Sequence, residues 1–184
     1  MIEKGLDLKS HAAIAQADIA TYFDMLPVFL IVMWLCARGV ERSLLAAIIR
    51  HQLCTLLKIC RGAESVVVGR RSRGGLTGSN VALALSRIPV ESAFLELLPA
   101  CRLKGLLAGS TRLVFGSWVD NIYTAAHSVQ DAVDLVADVF QHLRLHWNLY
   151  MKDKSGVVFF RIEARTYQTI PKCLESSLQM ILKF

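Results

Sequence analysis

Two acids stand where their neighbours do not explain them. Asp18 ends the apolar part of "AAIAQADIATYF", residues 12–23. Asp120 lies inside "RLVFGSWVDNIYTAAHS", residues 112–128, with Val114, Phe115, Trp118 and Val119 before it and Ile122 and Tyr123 after it. A carboxylate in so apolar a segment needs a partner. If the two extended segments are sheet neighbours, both carboxylates converge on one sheet edge. At about 4 Å apart they repel unless a cation lies between them. Mg2+ suits such a pair, because it takes carboxylate oxygens together with substrate phosphates. Two such ions can stabilise the attacking and the leaving oxygen of an in-line phosphoryl displacement. The plainer reading makes Asp18 a helix cap and Asp120 a turn residue, since Asp-Asn is a good hairpin pair. Spacing alone leaves both readings open.

The elements that would position these acids can be read from pattern. Residues 12–23 read as a strand running into a turn or helix start. Residues 27–37 read as an apolar helix, entered through Pro27 and broken by Gly39. "VERSLLAAIIRHQLCTLLKI" follows as a second helix, with Leu44, Leu45, Ile48, Ile49, Leu53 and Leu56 at helical spacing. "ESVVVG" is a short β-branched strand, and "GRRSRGGLTGSN" a Gly-rich basic loop. Ser79 or Asn80 caps the helix "NVALALSRIPVESAFLELL", which Pro89 should kink. Residues 105–110 read as a turn, and residues 111–117 and 119–126 as a hairpin with Asp120 at or beside its bend. Ser128 caps a helix whose apolar face is Ala132, Val133, Val136, Val139, Phe140 and Leu143. Residues 149–162 give strand, turn, strand, and the last stretch carries no pattern. The order β-α-α-β-α-β-β-α-β implies an α+β fold, with helices on one face of a mainly antiparallel sheet.

A chain of 184 residues suits one domain with a proper core. At 54% hydrophobic residues, the membrane question arises. The longest apolar run, "MLPVFLIVMWLCA", has about 13 residues against the roughly 20 of a spanning helix. It reads as a buried core helix, so no stable membrane association is expected. It also begins too far from the start to be a signal peptide. The net charge is +6, and "RGAESVVVGRRSRGG" gathers Arg61, Arg70, Arg71 and Arg73. Such a cluster favours polyanions, nucleic acid first and acidic lipid second. The five cysteines show no CxxC and no His spacing suited to zinc. Three of them fall in helical apolar patterns and read as small core residues. A reducing, intracellular compartment is expected.

Four segments, in order, resemble a family. "ADIATYFDML" resembles the first catalytic motif of reverse transcriptases, D-x-x-x-(Y/A)-F-D, and "GSWVDNIY" their aromatic-x-Asp-Asp hairpin. "SRGGLTGSNVALALSRIP" stands where the family has a Gly-rich loop and helix running Q-G-x-x-x-S-P. "HLRLHWNLYMKDKSGVVF" resembles its L-x-x-N-x-x-K-S segment. The chain thus resembles the palm of an RNA-directed DNA polymerase, of the non-LTR retrotransposon or group II intron type, over residues 12–160. The resemblance implies a partial palm-like domain over residues 1–165 and leaves 166–184 unassigned. It implies a two-ion Mg2+ or Mn2+ site held by Asp18, the Ile19 carbonyl, Asp120 and Asn121. Phe23 would be the steric gate under the nucleotide sugar, although packing alone would also explain it. Trp118 and Val119 would lie against primer terminus and template. Arg73, Gly74 and Gly75 would approach the nucleotide or template. Lys154 would protonate the leaving pyrophosphate, unless it is a solvated turn lysine. The implied partners are an RNA template, a DNA primer and a dNTP, within a larger retroelement polyprotein.

The sequence also departs from the family. Asn121 replaces the usual second acid, keeping an oxygen but losing a charge, as in some RNA virus polymerases. Arg73 or Gly74 stands for the Gln of the Gly-rich motif, and Ser79-Asn80 for its S-P pair. Fingers strands that precede the first motif, and a thumb that follows the palm, fall outside these residues. The expectation is little or no polymerase activity from this chain alone. Two other readings stand beside it. One is a non-catalytic nucleic-acid-binding palm or decayed remnant that uses the Arg61–Arg73 cluster on phosphates. The other is a small membrane-associated protein.

Overall fold

A computed structural model of the chain describes residues 12–70, 73–76, 78–108, 110–152 and 156–160. The strands are β1 (Ala12–Asp18), β2 (Leu56–Arg61), β3 (Glu64–Arg70), β4 (Leu106–Ala108), β5 (Thr111–Leu113), β6 (Phe115–Trp118), β7 (Asn121–Ala126) and β8 (Gly156–Phe160). The helices are α1 (Tyr22–Met25), α2 (Val28–Ala37), α3 (Arg42–Leu53), α4 (Asn80–Cys101) and α5 (Val129–Trp147). The fold is α+β, as the element order implied. Its main sheet runs β6-β7-β1-β8 with every pair antiparallel, and β2-β3 and β4-β5 are separate hairpins. The chain divides into two compact units. One comprises the described parts of Met1–Ile19, Ala93–His142 and Met151–Phe184, and the other Ala20–Ser92 with Leu143–Tyr150.

The first unit is built around β1. Ala12, Ala13, Ile14, Ala15 and Ala17 are all buried, because this strand has neighbours on both edges and cover on both faces. On one face Thr124 donates its hydroxyl to the Ala132 carbonyl of α5 at 2.7 Å, and Phe115 stacks on Phe94 of α4 with centroids 5.0 Å apart. On the other face Ala12, Ile14, Leu106 and Ala125 form a cluster that Leu113 and Tyr123 pack against. The β4-β5 hairpin supplies Leu106 and Leu113 to this face. Gly105 lets it dock closely: a Cβ there would stand 2.6 Å from the Leu113 carbonyl oxygen. Arg112 fastens the same turn, donating to the carbonyls of Leu103 and Gly105 at 2.8 and 3.1 Å.

α5 begins at a capping box. The Ser128 hydroxyl oxygen accepts the Asp131 amide at 3.0 Å and donates to the Asp131 carboxylate at 2.6 Å. Ala132, Leu135, Val136, Val139, Phe140 and Leu143 are buried, at the spacing of one helical face, while Val133 is exposed. Near the end of α4, Cys101 lies buried with its thiol 3.7 Å from Asp138. Burial pushes the thiol pKa up, and the Asp138 carboxylate raises it further.

The second unit is organised by a loop. Arg73 donates to the Met25 carbonyl at 3.2 Å and to the Asn148 carbonyl at 3.1 Å. The Gly74 amide reaches the Leu26 carbonyl at 3.1 Å, and the Gly75 amide the Phe23 carbonyl at 2.7 Å. Gly74 has φ +83°, and a Cβ there would sit 2.6 Å from the Asp24 carbonyl oxygen. Gln52, fully buried on α3, accepts the Leu76 amide at 2.8 Å. Ser79 caps α4, its hydroxyl oxygen 3.5 Å from the Ala82 amide. α4 runs unbroken through Pro89. The Ser92 hydroxyl donates to the Pro89 carbonyl at 2.9 Å and accepts the Trp147 indole N–H at 2.9 Å. Tyr22 donates to the Ser86 carbonyl.

Four expectations need correction. The second helix stops at Leu53 rather than Ile59, and Leu56–Arg61 becomes β2. The β-branched run Val66–Val68 offers β2 a partner that a lone helical extension lacks. The turn expected over 105–110 contains β4. The apolar faces are thinner than periodicity implied: Leu44 is 53% exposed, and α2 buries Val28, Ile31 and Val32 but leaves Phe29 and Met33 in solvent. Cys36, Cys54 and Cys60 are exposed free thiols, not core residues. Among the described residues no helix is long and apolar enough to cross a membrane. Residues 161–184 lie outside the description.

Replacing Gly74 by Ala forces a clash with backbone at a left-handed φ. It should destabilise the chain by about 2 kcal/mol, read as a lower urea midpoint; an unchanged midpoint would refute the close approach. At pH 8, thiol-specific labelling should reach Cys36, Cys54 and Cys60 well before Cys101, as peptide mapping of a time course would show.

Candidate catalytic carboxylate pair

β1 pairs with β7 so that Asp18 lies opposite Asn121. The Ile19 amide then donates to the Asp120 carbonyl at 2.8 Å. The two acids therefore occupy adjacent positions at one end of the two central strands. Because an extended residue sends its N–H and C=O to the same edge, the Ile19 carbonyl also turns toward the Asp120 side. On the other edge, the Lys152 amide donates to the Asp18 carbonyl at 2.8 Å. Asp18 thus ends a strand whose backbone is held from both sides.

Period-two alternation decides what surrounds Asp18. Ile14, Gln16 and Asp18 share a face of β1, opposite Ala125, Tyr123 and Asn121 of β7. Trp118 pairs with Asn121 and so joins the same face. Ile14 and Ala125 lie in the packed cluster, whereas Gln16 is exposed and Asp18 and Asn121 are half-buried. The sheet face thus passes from apolar core to an accessible polar end. Trp118 is 74% exposed there, an unusual position for an indole that no core contact explains.

The hairpin that carries Asp120 is tight. Trp118 faces Asn121, so Val119 and Asp120 form a two-residue loop. Such loops need a positive φ at the first position, usually supplied by Gly or Asn. Here Val119 takes φ 57°. A β-branched residue in that region costs roughly 1–3 kcal/mol. The surrounding ladder must hold it there.

Asn121 completes the local network. Its side-chain N–H donates to the Asp120 carboxylate at 3.2 Å, and its oxygen accepts the Gln16 amide N–H at 2.7 Å. Gln16 was not among the residues singled out by motif, although its position two before Asp18 on the same strand face marks it. Of the residues the resemblance selected, Asp18, Ile19, Asp120, Asn121, Trp118 and Val119 come together in the first unit. Phe23, Arg73, Gly74 and Gly75 come together in the second. There the backbone contacts of Gly74 and Gly75 already account for both glycines. Arg73 also lines a pocket of about 220 Å³ with Pro27, Val28, Phe29, Leu30, Leu53 and Asn148. Phe23 is half-buried, its ring 6.0 Å from that of Tyr22. Lys154 lies outside the described residues.

The donor set fits a hard cation. Asp18, Asp120 and the Ile19 carbonyl are oxygen donors of the kind Mg2+ and Mn2+ take. Asn121 fits less well, because its oxygen is engaged by Gln16 and its N–H₂ faces Asp120.

This architecture, an antiparallel sheet with an acid ending its central strand and another in the adjoining tight hairpin, is a partial polymerase palm-like fold. No family model matches the chain, and no curated protein does. Solved structures do. An apo telomerase from Candida tropicalis, truncated from the C-terminal domain, superposes with a TM-score of 0.62 at 10% identity, over 89% of this chain and 34% of that one. Telomerase from Candida albicans, in complex with a TWJ fragment of telomeric RNA, gives 0.58 at 13% identity, over 85% and 27%. The chain therefore spans about a third of the length of these neighbours. The likeness is one of fold.

Val119→Gly should relieve the turn strain and raise stability by about 1 kcal/mol after the entropic cost of glycine. Urea denaturation would measure this, and a loss of stability would show that the Val119 side chain, not its backbone, matters.

Proposed function

We propose that the chain is the palm portion of an RNA-directed DNA polymerase from a retroelement of the non-LTR or group II intron type. One observation supports this reading: the Asp18–Asn121 register and the Ile19–Asp120 backbone hydrogen bond bring the two acidic residues to neighbouring backbone positions at one end of the central strands. Asp18, Asp120 and the Ile19 carbonyl would hold Mg2+ or Mn2+. Bound there, such ions would supply charge neutralisation for the attacking and leaving oxygens of nucleotidyl transfer. Trp118 offers an exposed ring beside them, on which a base at the primer terminus or template can stack. Gln16 and Asn121 orient the Asp120 carboxylate from the side. RNA as template accords with the telomeric RNA bound by one structural neighbour.

A second reading has its own observation. The Asn121 amide satisfies Asp120 without any cation, which is what a palm kept only for binding nucleic acid would tolerate. The two readings separate on metal dependence. Mn2+ binding by the full chain, followed by electron paramagnetic resonance, should weaken about tenfold or more in Asp18→Asn and in Asp120→Asn. It should strengthen in Asn121→Asp, which adds a charge. If Asp18→Asn binds Mn2+ like the parent, the catalytic reading fails. Primer extension on an RNA template should be weak in the chain alone and rise in Asn121→Asp. Primer–template binding that ignores both Mn2+ and these substitutions would favour the binding module.

A further inference from the structure

The β2-β3 hairpin is a two-stranded sheet of its own, and every residue of its strands except the half-buried Gly69 is exposed. Such a ribbon is marginal in water unless one of its faces is covered. Register and alternation sort its residues. Leu57, Ile59 and Arg61 share one face of β2, and their partners on that face are Gly69, Val66 and Glu64 of β3. A bulge between Leu57 and Lys58 lets the ladder pass over Val68 and keeps Gly69 opposite Leu57. From its open end to its turn, the face therefore reads Leu57/Gly69, Ile59/Val66, Arg61/Glu64. Ile59 is 65% and Val66 67% exposed, so the described residues leave its apolar part uncovered.

We propose that this face binds the same face of a second copy of the chain. The face is complementary to itself. When one ribbon is laid on another about a two-fold axis parallel to the strands, β2 of each lies over β3 of the other. Arg61 then stands over Glu64 of the second copy, and Glu64 over its Arg61, which makes an alternating square of charge. Ile59 and Val66 meet in the same crossed way. Leu57 meets Gly69, which has no side chain, so the space over the glycine takes the leucine. Sheets stacked about 10 Å apart hold one such layer of interdigitated side chains. The reverse stacking, turn over open end, would set Arg61 and Glu64 on Leu57 and Gly69 and leave both charges unmatched. Edge-to-edge pairing is opposed by the bulge and by Lys58. A polyanion suits this face poorly, because it carries one acid for its one base. Lys58 and Arg70 lie on the other face of the ribbon.

The contact uses six residues a side, Leu57, Ile59, Arg61, Glu64, Val66 and Gly69. A standard interface uses roughly 20–30, so the dimer is weak, with a dissociation constant between about 10 µM and about 1 mM. Sedimentation of the full chain between about 5 µM and about 500 µM spans the transition and should show a reversible monomer–dimer equilibrium. Reducing buffer keeps the exposed Cys36, Cys54 and Cys60 from cross-linking. Ile59→Asp and Arg61→Glu should each raise the dissociation constant about tenfold or more, with the circular dichroism of the monomer unchanged. Arg61→Glu combined with Glu64→Arg exchanges the two charges and should restore the parental constant. Lys58→Glu, on the other face, should leave it unchanged. A chain that stays monomeric throughout would overturn the proposal. So would a dimer indifferent to Ile59→Asp, or a charge exchange that restores nothing. A monomeric chain that binds anionic vesicles or an oligonucleotide, and loses this in Ile59→Asp, would assign the face to that ligand instead.

Discussion

The backbone bond from Ile19 to Asp120 is the constraint on which the site depends. It continues the β1-β7 ladder one step past the last paired residues and fixes the acid-bearing turn against the acid-bearing strand end. A slip of one residue would turn Asp18 to the opposite face of the sheet and bring Ala17 or Ile19 to its place. The ladder resists such a slip because both faces of β1 are committed. Ile14 must stay in the cluster with Leu106 and Ala125, and the small Ala13, Ala15 and Ala17 must stay under the helices. Alanine has little strand preference of its own. The four alanines of this central strand, Ala12, Ala13, Ala15 and Ala17, are all buried, so their place follows from packing rather than from strand preference.

The same ladder explains why Val119 can sit at φ 57°. A two-residue turn with the wrong residue in it would open if its strands were free. Here β7 pairs on both edges, and Thr124 and Ile122 are fully buried. The turn is held closed from outside itself, and its strain sits next to the residue it aims. Asn121 takes a related part in the charge balance. A second acid at that position would add a third carboxylate to Asp18 and Asp120. The amide instead donates to Asp120 and is itself held by Gln16. The pair is thereby less repulsive without a cation, and less demanding of one.

Much of this was legible in the sequence, and the reasons differ by element. The end of β1 and the β6-β7 hairpin read well, because period-two alternation and a short polar turn at Asp120 are local signals. The caps at Ser79 and Ser128 read well for the same reason. β2 did not, since "LCTLLKI" continues a helical spacing and only its pairing with Glu64–Arg70 makes it a strand. Exposure of Leu44, Phe29 and Met33 was hidden too: periodicity shows which face is apolar, not whether anything covers it. Gly74 and Gly75 were read as approach points for a ligand. Their backbone contacts with Phe23, Asp24 and Leu26 are a sufficient cause, and a glycine pair in sequence does not distinguish a ligand from the chain itself.

Gln16 and Gln52 show what motif reading leaves out. Neither belongs to a recognisable pattern, yet one orients Asn121 and the other, fully buried, anchors the loop after Gly75. Each is a polar residue whose value lies in a partner far along the chain: Gln16 reaches across 105 residues and Gln52 across 24. A buried amide left without its partner would cost about 1–3 kcal/mol, so Gln52 and the Leu76 amide constrain each other's placement. Gln16 is exposed and bears no such penalty. Its contact with Asn121 therefore serves orientation more than stability, and orientation of the Asp120 carboxylate is what metal chemistry at this sheet end would require.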